Sequence, residues 1–412
     1  MNRKWGLLLA LLFGPLIAQA APLTWEDAVR LAVKQNPAFL SALESVLGRE
    51  ALSRAEVNQI LPQIGLSSGY GESETDPNGQ WGATADATLD IFNRSAYADI
   101  RSSNARRDAA VAELRTVSSQ VRRDLRRAFV GLLFAQQQVD VSVRIRDLRK
   151  QNADLVSLKY DSGRESKGNM LKAAAEYQEA LAAWRQAERA IPLAARELAR
   201  RLGLREKVTG ADGALIVETL PPLEGSEATL ETHPKISSRE AAFRESRAGL
   251  AGARASLWPT LTGRYARSFT GDNFFPEKRH WNLSGTLSFP LFAGGPTAAF
   301  NNIEAAQASV AGAELDLNAA RLEVWTEVET AWTTLADRID DVTVQDNFLS
   351  ASRQRNVESS VRYNGGLMSY EDWERAVNDL VNYERSTIRA LRDAAFARAE
   401  FDLALGRTLE VP

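Results

Sequence analysis

Residues 160–166 read YDSGRES and residues 363–369 read YNGGLMS, each flanked by long polar–apolar patterns of helical period. Tyr, Gly and Ser recur in register across 203 positions, and Asp161 is answered by Asn364. A turn written twice in this way points to two copies of one structural unit, so repetition is tested before any active site. Further pairs agree. Pro37 and Pro234 stand 197 apart, as do Pro62 and Pro259, while Phe92 and Phe292 stand 200 apart and Gly203 and Gly406 stand 203 apart. The offset drifts in small steps, so the copies are collinear. The chain reads as a leader over 1–20, a first repeat over 21–203, a Gly- and Pro-rich linker over 204–225 and a second repeat over 226–412.

With 412 residues, 44% of them hydrophobic, the chain can bury a large core. A net charge of −3 argues against a nucleic-acid partner, which asks for a strongly basic face. There is no cysteine, which removes disulfides, thiolate metal sites, cysteine nucleophiles and a lipid-bearing N-terminal Cys. Arg3 and Lys4, the apolar run Trp5 to Ile17, and Ala18-Gln19-Ala20 make up a secretory leader. No later stretch approaches the ~18 apolar residues of a spanning helix. The mature chain is expected to be exported and to cross no bilayer by helices.

Each half repeats one order of elements. Thr24 and Asp27 form a capping box before WEDAVRLAVKQN, and a second helix follows Pro37, as its counterpart follows Pro234. Strands are expected over about 62–92 and 258–292. In 84–91 Ala85, Ala87, Leu89 and Ile91 alternate with Thr84, Asp86, Thr88 and Asp90; in 282–289 Leu283, Gly285, Leu287 and Phe289 alternate with polar residues. DPNG at 76–79 is a hairpin-turn signal, and GDN at 271–273 opens a longer connection. The period then becomes helical, with Leu114, Val117, Val121, Leu125, Ala128, Leu132, Ala135 and Val139 in one copy and Val328, Trp332, Leu335, Ile339 and Val342 in the other. Long helices are expected over about 94–159 and, with Pro296 in a permitted first-turn position, 296–361, each about 100 Å long. After the paired turns, shorter helices return over about 168–203 and 370–406.

Alternation of apolar and polar residues over about ten positions is the mark of an outer-membrane β-strand. Eight aromatics lie between Trp258 and Phe292, far above the 8% of the whole chain, and suit the girdles at bilayer interfaces. Four strands cannot close a barrel, and an open edge in lipid leaves backbone groups unsatisfied. Several protomers must therefore pool strands; three would give twelve.

The segments LTWEDAVRLAVKQNPAF, LPQI, LSFPLFAGG and the paired turns KYDSGRES and RYNGGLMSYED make the mature chain resemble the TolC-type outer-membrane efflux proteins. The resemblance implies a mainly α protomer with a small transmembrane β part. Three protomers would build a 12-stranded β-barrel in the outer membrane, continuous with a long periplasmic α-helical barrel. It further implies passive exit, in tripartite efflux or type I secretion, for substrates that an inner-membrane pump expels through a periplasmic adaptor, with the pump choosing the cargo. By the same resemblance Tyr363 falls at a gate tyrosine and Asp372 at an acidic ring that narrows the pore. The turn residues Gly163, Arg164, Ser166, Gly366, Leu367 and Ser369 fall where the adaptor docks. Two departures stand out: Met368 replaces a basic residue and Arg375 an acid.

Plainer roles are open beside these. Asp372 lies in a helix first turn, where a carboxylate complements the helix dipole, and the turn residues serve chain reversal in any case. GLSSG at 65–69 matches G-x-S-x-G but lies in an expected strand, not a nucleophile elbow. His233 reads as a helix-start residue before Pro234, and RRDLRR at 122–127 as a solvated or interprotomer face. No phosphate loop or H-E-x-x-H occurs, so neither an enzyme nor a cofactor is expected. The alternative from another class is a soluble periplasmic coiled-coil adaptor or scaffold.

Overall fold

The computed structural model describes residues 22–73, 76–217, 219–223, 231–290, 294–295 and 297–409. The leader, Phe292, Pro296 and part of the 204–225 linker lie outside the described residues. In chain order the elements are helices α1 (Trp25–Gln35) and α2 (Pro37–Glu56), strands β1 (Gln63–Ser73) and β2 (Asp76–Phe92), then helices α3 (Arg94–Asp161) and α4 (Lys167–Leu202). The second half follows the same order with α5 (Pro234–Ala255), β3 (Thr260–Gly271), β4 (Lys278–Ser288), α6 (Ala298–Asn364) and α7 (Tyr370–Ala404). No described helix is long and apolar enough to cross a membrane.

One helix-stop device is used four times. Gly163, Gly203, Gly366 and Gly406 close α3, α4, α6 and α7 with φ of +71°, +81°, +75° and +68°. The N–H of the next residue reaches back to a carbonyl of the last turn: Arg164 to Lys159, Leu367 to Arg362 and Leu204 to Ala199 at 2.8 Å, and Arg407 to Asp402 at 3.0 Å. A left-handed residue is needed there, and glycine adopts it without a Cβ penalty. Ser166 and Ser369 then open α4 and α7, their Oγ atoms accepting the Asn169 and Asp372 N–H groups at 3.1 Å. The seven-residue repeat is therefore a helix stop followed by a helix start. At the chain's own start Thr24 accepts the Asp27 N–H at 3.2 Å and donates to the Asp27 carboxylate at 2.7 Å.

The four strands form one antiparallel sheet in the order β1-β2-β3-β4. Its register puts Ile64, Leu66 and Tyr70 on one face with Trp81, Ala83, Ala85, Ala87 and Leu89 of β2, Tyr265 and Phe269 of β3, and Trp281, Leu283 and Leu287 of β4. Apart from Ser68, Arg267 and Arg279 that face is apolar, yet it is uncovered, with Leu66 87% and Leu283 71% exposed. The opposite face carries polar groups bonded across strands: Thr84 to Ser268 at 3.1 Å, Thr262 to Asp90 at 2.9 Å, and Arg264 paired with Asp86 at 3.5 Å. Polar contacts inside and bare leucines outside invert the pattern a sheet in water requires.

Aromatic rings gather at both ends of the sheet. Tyr70, Trp81, Phe274 and Phe275 stand in a row with centroids 5.3, 4.8 and 5.1 Å apart near the hairpin connections. Phe92 and Trp258 pair at 6.4 Å where the strands meet the helices. The β2 run from Trp81 to Phe92 spans about 37 Å, which a tilt of about 40° reduces to about 28 Å, close to the apolar band of a bilayer.

One expectation is corrected. Residues 76–79 are not the hairpin turn but lie inside β2, since Ser73 already faces Asp76. Between the pairs Gly71–Gln80 and Ser73–Asp76 the ladder shifts, with the surplus residues on β2. Gly79 keeps the positive φ of +66° that its sequence context implied, but uses it in this bulge, where a Cβ would collide with the Tyr70 hydroxyl.

The chain divides into two compact units, and α3, α6 and α7 contribute to both. One unit holds the sheet, α2, α5, α3 as far as Arg123, α6 as far as Leu335 and the end of α7 from Glu400. In it His233 caps α5, its Nδ1 accepting the Lys235 N–H at 3.2 Å. A Cβ on Gly406 would stand 2.6 Å from Pro234 Cδ, so that glycine serves both its turn and this packing. The other unit holds α1, α4 and the remainders of α3, α6 and α7, packed around Leu125, Leu132, Leu198 and Leu202. The RRDLRR segment, whose Arg127 is exposed, finds partners within the chain. Asp124 pairs with Arg201 at 2.5 Å, and Arg126 and Arg127 lie over the Trp25 and Phe396 rings at 4.8 and 4.7 Å.

Candidate functional site

The two seven-residue turns meet in the second of these units. Tyr363, in the last turn of α6, is 3% exposed and stacks on Trp373 at 4.3 Å and 7°. Tyr370 meets both rings edge-on at 6.2 and 6.0 Å. The Tyr363 hydroxyl donates to Glu165 Oε2 at 2.8 Å, Lys159 Nζ lies 3.7 Å from the ring centroid, and the same ammonium donates to the Tyr363 carbonyl. Trp373 Nε1 donates to Ser360 Oγ at 3.2 Å. The α3–α4 turn is thereby tied to the α6–α7 turn through one buried tyrosine.

The charges follow from that packing. Burial and then the Glu165 hydrogen bond push the Tyr363 hydroxyl well above the usual phenol range, so it stays a donor. Burial works to raise the Glu165 carboxyl as well. Hydrogen bonds from the Ser166 N–H, Asn169 and Tyr363, with the Lys159 charge, outweigh it and hold the carboxyl below its ordinary range. Burial, with the Arg164 charge, lowers the Lys159 ammonium against the pull of Glu165.

A second cluster packs beside the rings. Arg149 of α3 donates to Glu176 of α4 at 2.8 Å and to Asn378 of α7, while Lys172 donates to Glu374 of α7 at 2.6 Å. Burial and the Glu374 hydrogen bond push the Glu176 carboxyl up to about 7. Burial would raise Glu374 too, but the bonds from Glu176 and Lys172 hold it low, so the pair shares one proton. Arg149, Lys172, Glu374 and Tyr370 are the charged and titratable groups acting on Glu176 and its neighbours. Between its ordinary 4.5 and about 7 the folded cluster holds a proton the unfolded chain has lost, so stability from Glu176 falls as pH rises through that window. Glu374, shifted the other way, keeps its contribution throughout the window. Amide hydrogen exchange around Tyr370–Trp373, corrected for intrinsic rates, should show less protection at pH 7.5 than at pH 5.5, and Glu176→Gln should remove the difference. An undiminished difference in that variant would assign it to another group.

Of the residues singled out in the sequence, Tyr363 is buried at the centre of this contact. Gly163, Arg164, Ser166, Gly366, Leu367 and Ser369 all lie on the exposed outer bend of the two turns, with Leu367 83% exposed. Asp372 is exposed in the first turn of α7, where its N–H donates to Ser369 Oγ and its carboxylate accepts from the same hydroxyl at 2.9 Å. Arg375 pairs with Asp372 at 3.0 Å. Met368 packs against the ring cluster instead of presenting a charge. Sequence reading missed Glu165, Lys159, Trp373, Arg149, Glu176 and Glu374, although Glu165 stood inside the quoted repeat. Among the described residues no group of three His, Asp or Glu could hold a metal ion.

Comparison with known proteins gives this geometry its setting. The family model described as outer membrane efflux protein matches residues 28–204 and 226–407. Protein CyaE of Bordetella pertussis is 26% identical over 330 residues, covering 75% of this chain and 68% of that one. The alkaline protease secretion protein AprF of Pseudomonas aeruginosa is 26% identical over 303 residues, covering 66% of this chain and 62% of that one. The open-state outer-membrane channel MtrE of Neisseria gonorrhoeae shares the fold with a TM-score of 0.80 at 18% identity, over 94% of this chain and 90% of that one. A family match through both halves, a fold shared along nearly the whole length, and a sheet that turns leucines outward agree: the chain belongs to the outer membrane efflux protein family and is an outer-membrane efflux channel protein.

Proposed function

We propose that three copies of this chain pool their strands into a twelve-stranded barrel, and that the assembled channel takes cargo from an inner-membrane pump through a periplasmic adaptor. The observation that carries the reading is the sheet. Its apolar face is bare, and β1 and β4 each have one edge unpaired within the described sheet. Lipid admits no open edge, so neighbouring copies must close it. Leu315 and Leu322 of α6, 69% and 72% exposed and seven residues apart, suit a helical seam with another copy. In this reading Tyr363, locked to Glu165 and Trp373, closes the periplasmic end, and the exposed turns receive the adaptor. The detergent-extracted protein should run as a heat-modifiable trimer. An Arg164→Glu/Leu367→Asp variant should still trimerise but lose co-purification with the adaptor. A monomer would sink the barrel, and retained adaptor binding would move the docking site elsewhere.

Asp372 would add an acidic ring around the axis, as charged rings set ion preference in other pores. Its two structural partners suggest how to separate ring from cap. Asp372→Asn keeps an oxygen for Ser369 and removes the charge, so reversal potentials under a salt gradient should shift toward lower cation preference. Arg375→Gln, which frees the Asp372 carboxylate, should shift them the opposite way. Identical potentials in all three proteins would leave Asp372 as a cap alone.

A further inference from the structure

A groove between α3 and α5 is lined by five arginines and one acid. Arg94 and Arg101 come from α3 with Asp108; Arg244, Arg247 and Arg254 come from α5; the cavity holds about 650 Å³. The seam beneath is built of small residues. Ala98 and Ala105 of α3 and Ala248 and Ala255 of α5 are buried, and a Cβ on Gly252 of α5 would already touch Ala98 Cβ at 3.6 Å. The helices therefore pack closely, and the long side chains stand along the rims at heptad spacing.

The charge is not compensated. Asp108 accepts from Arg107 at 2.6 Å and from Arg244 at 2.8 Å, which uses both its oxygens. Arg94, Arg101, Arg247 and Arg254 have no ion pair among the described residues. Arg94 instead lies over the Trp258 ring at 4.3 Å, and Trp258 pairs with Phe92 at the helix end of the apolar sheet face. The groove thus starts at the aromatic rim of the membrane-facing surface and runs away from it. With the sheet face in a bilayer, Arg94 and Arg254 would stand at headgroup level. Arg101 and Arg247 lie seven residues further, about 10 Å, within reach of side chains that extend toward the interface.

We propose that this groove binds the phosphate headgroup of an anionic phospholipid in the periplasmic leaflet. The guanidinium forks match phosphate oxygens in pairs, and the bilayer supplies the ligand at the rim. The proposal rests on the apolar sheet face lying in the bilayer, whose failure the Leu283 substitution described below reads separately.

The test uses the full-length protein in micelles doped with phosphatidylglycerol or phosphatidylcholine, with retained lipid counted by native mass spectrometry. The wild type should retain phosphatidylglycerol preferentially. An Arg94→Gln/Arg101→Gln/Arg247→Gln/Arg254→Gln variant should lose that preference, at about fivefold in affinity for each arginine. The corresponding four lysine substitutions, which keep the charge but lose the paired bonds, should fall between the two, which separates loss of charge from misfolding. A wild type indifferent to headgroup, or a glutamine variant that keeps its preference, would overturn the proposal. Displacement of the lipid by millimolar inorganic phosphate would make this a free-anion site and also overturn it. So would protection of these arginines from phenylglyoxal in the lipid-free trimer, which would show a neighbouring copy covering the groove.

Discussion

Leu283→Arg should cost about 2–4 kcal/mol per copy and strip the protein from the outer membrane. Leu283 stands mid-strand in β4, opposite Tyr265, on the face where it is 71% exposed. If that face meets lipid, a guanidinium there sits near the depth where charge is most costly. Asn282→Arg, one residue away on the polar face, should assemble normally. The pair is informative because both positions are exposed, so a soluble sheet would accept either change. Equal recovery of the two variants as trimers would contradict a lipid-facing sheet.

In the proposed gate, Trp373→Ala should loosen the paired turns further than Tyr363→Phe. The indole is 2% exposed, stacks on Tyr363, meets Tyr370 edge-on and donates to Ser360. Deleting a buried ring of this size typically costs about 3–5 kcal/mol. Tyr363→Phe removes a single hydrogen bond to Glu165, worth about 1–3 kcal/mol with a charged acceptor, and leaves the stack in place. Resting conductance in planar bilayers should therefore rise strongly in Trp373→Ala and modestly in Tyr363→Phe. The reverse order would mean that the Glu165 bond, not the stack, holds the turns together.

Much of this architecture is legible in residue order because its rules are local. The alternation at 84–91 fixes which face of β2 is apolar, since side chains of a strand alternate whatever it pairs with. The turns are legible because a helix stop needs glycine at one position and a start needs serine three residues later. Ser369 and Asp372 even announce their own cap. What the sequence hides depends on which turns meet. Glu165 is 198 residues from Tyr363, and nothing in either heptad pattern says that they touch. Glu176 and Glu374 look like ordinary solvated helix charges until Arg149 and burial bring them together. The DPNG signal misleads for a related reason: its glycine does need a positive φ, but a bulge satisfies that need as well as a turn does.

The two ring clusters at the ends of the sheet carry a mechanical consequence. Trp81 and Phe92 are joined by a strand whose length is set by covalent geometry, so the spacing of the clusters cannot follow the host membrane. Acyl chains beside the protein must stretch or shorten to meet it, at fractions of a kcal/mol per ångström. The protein thus carries its own waterline, and in vesicles of long-chain lipid the deformation should appear in the lipids rather than in the strands.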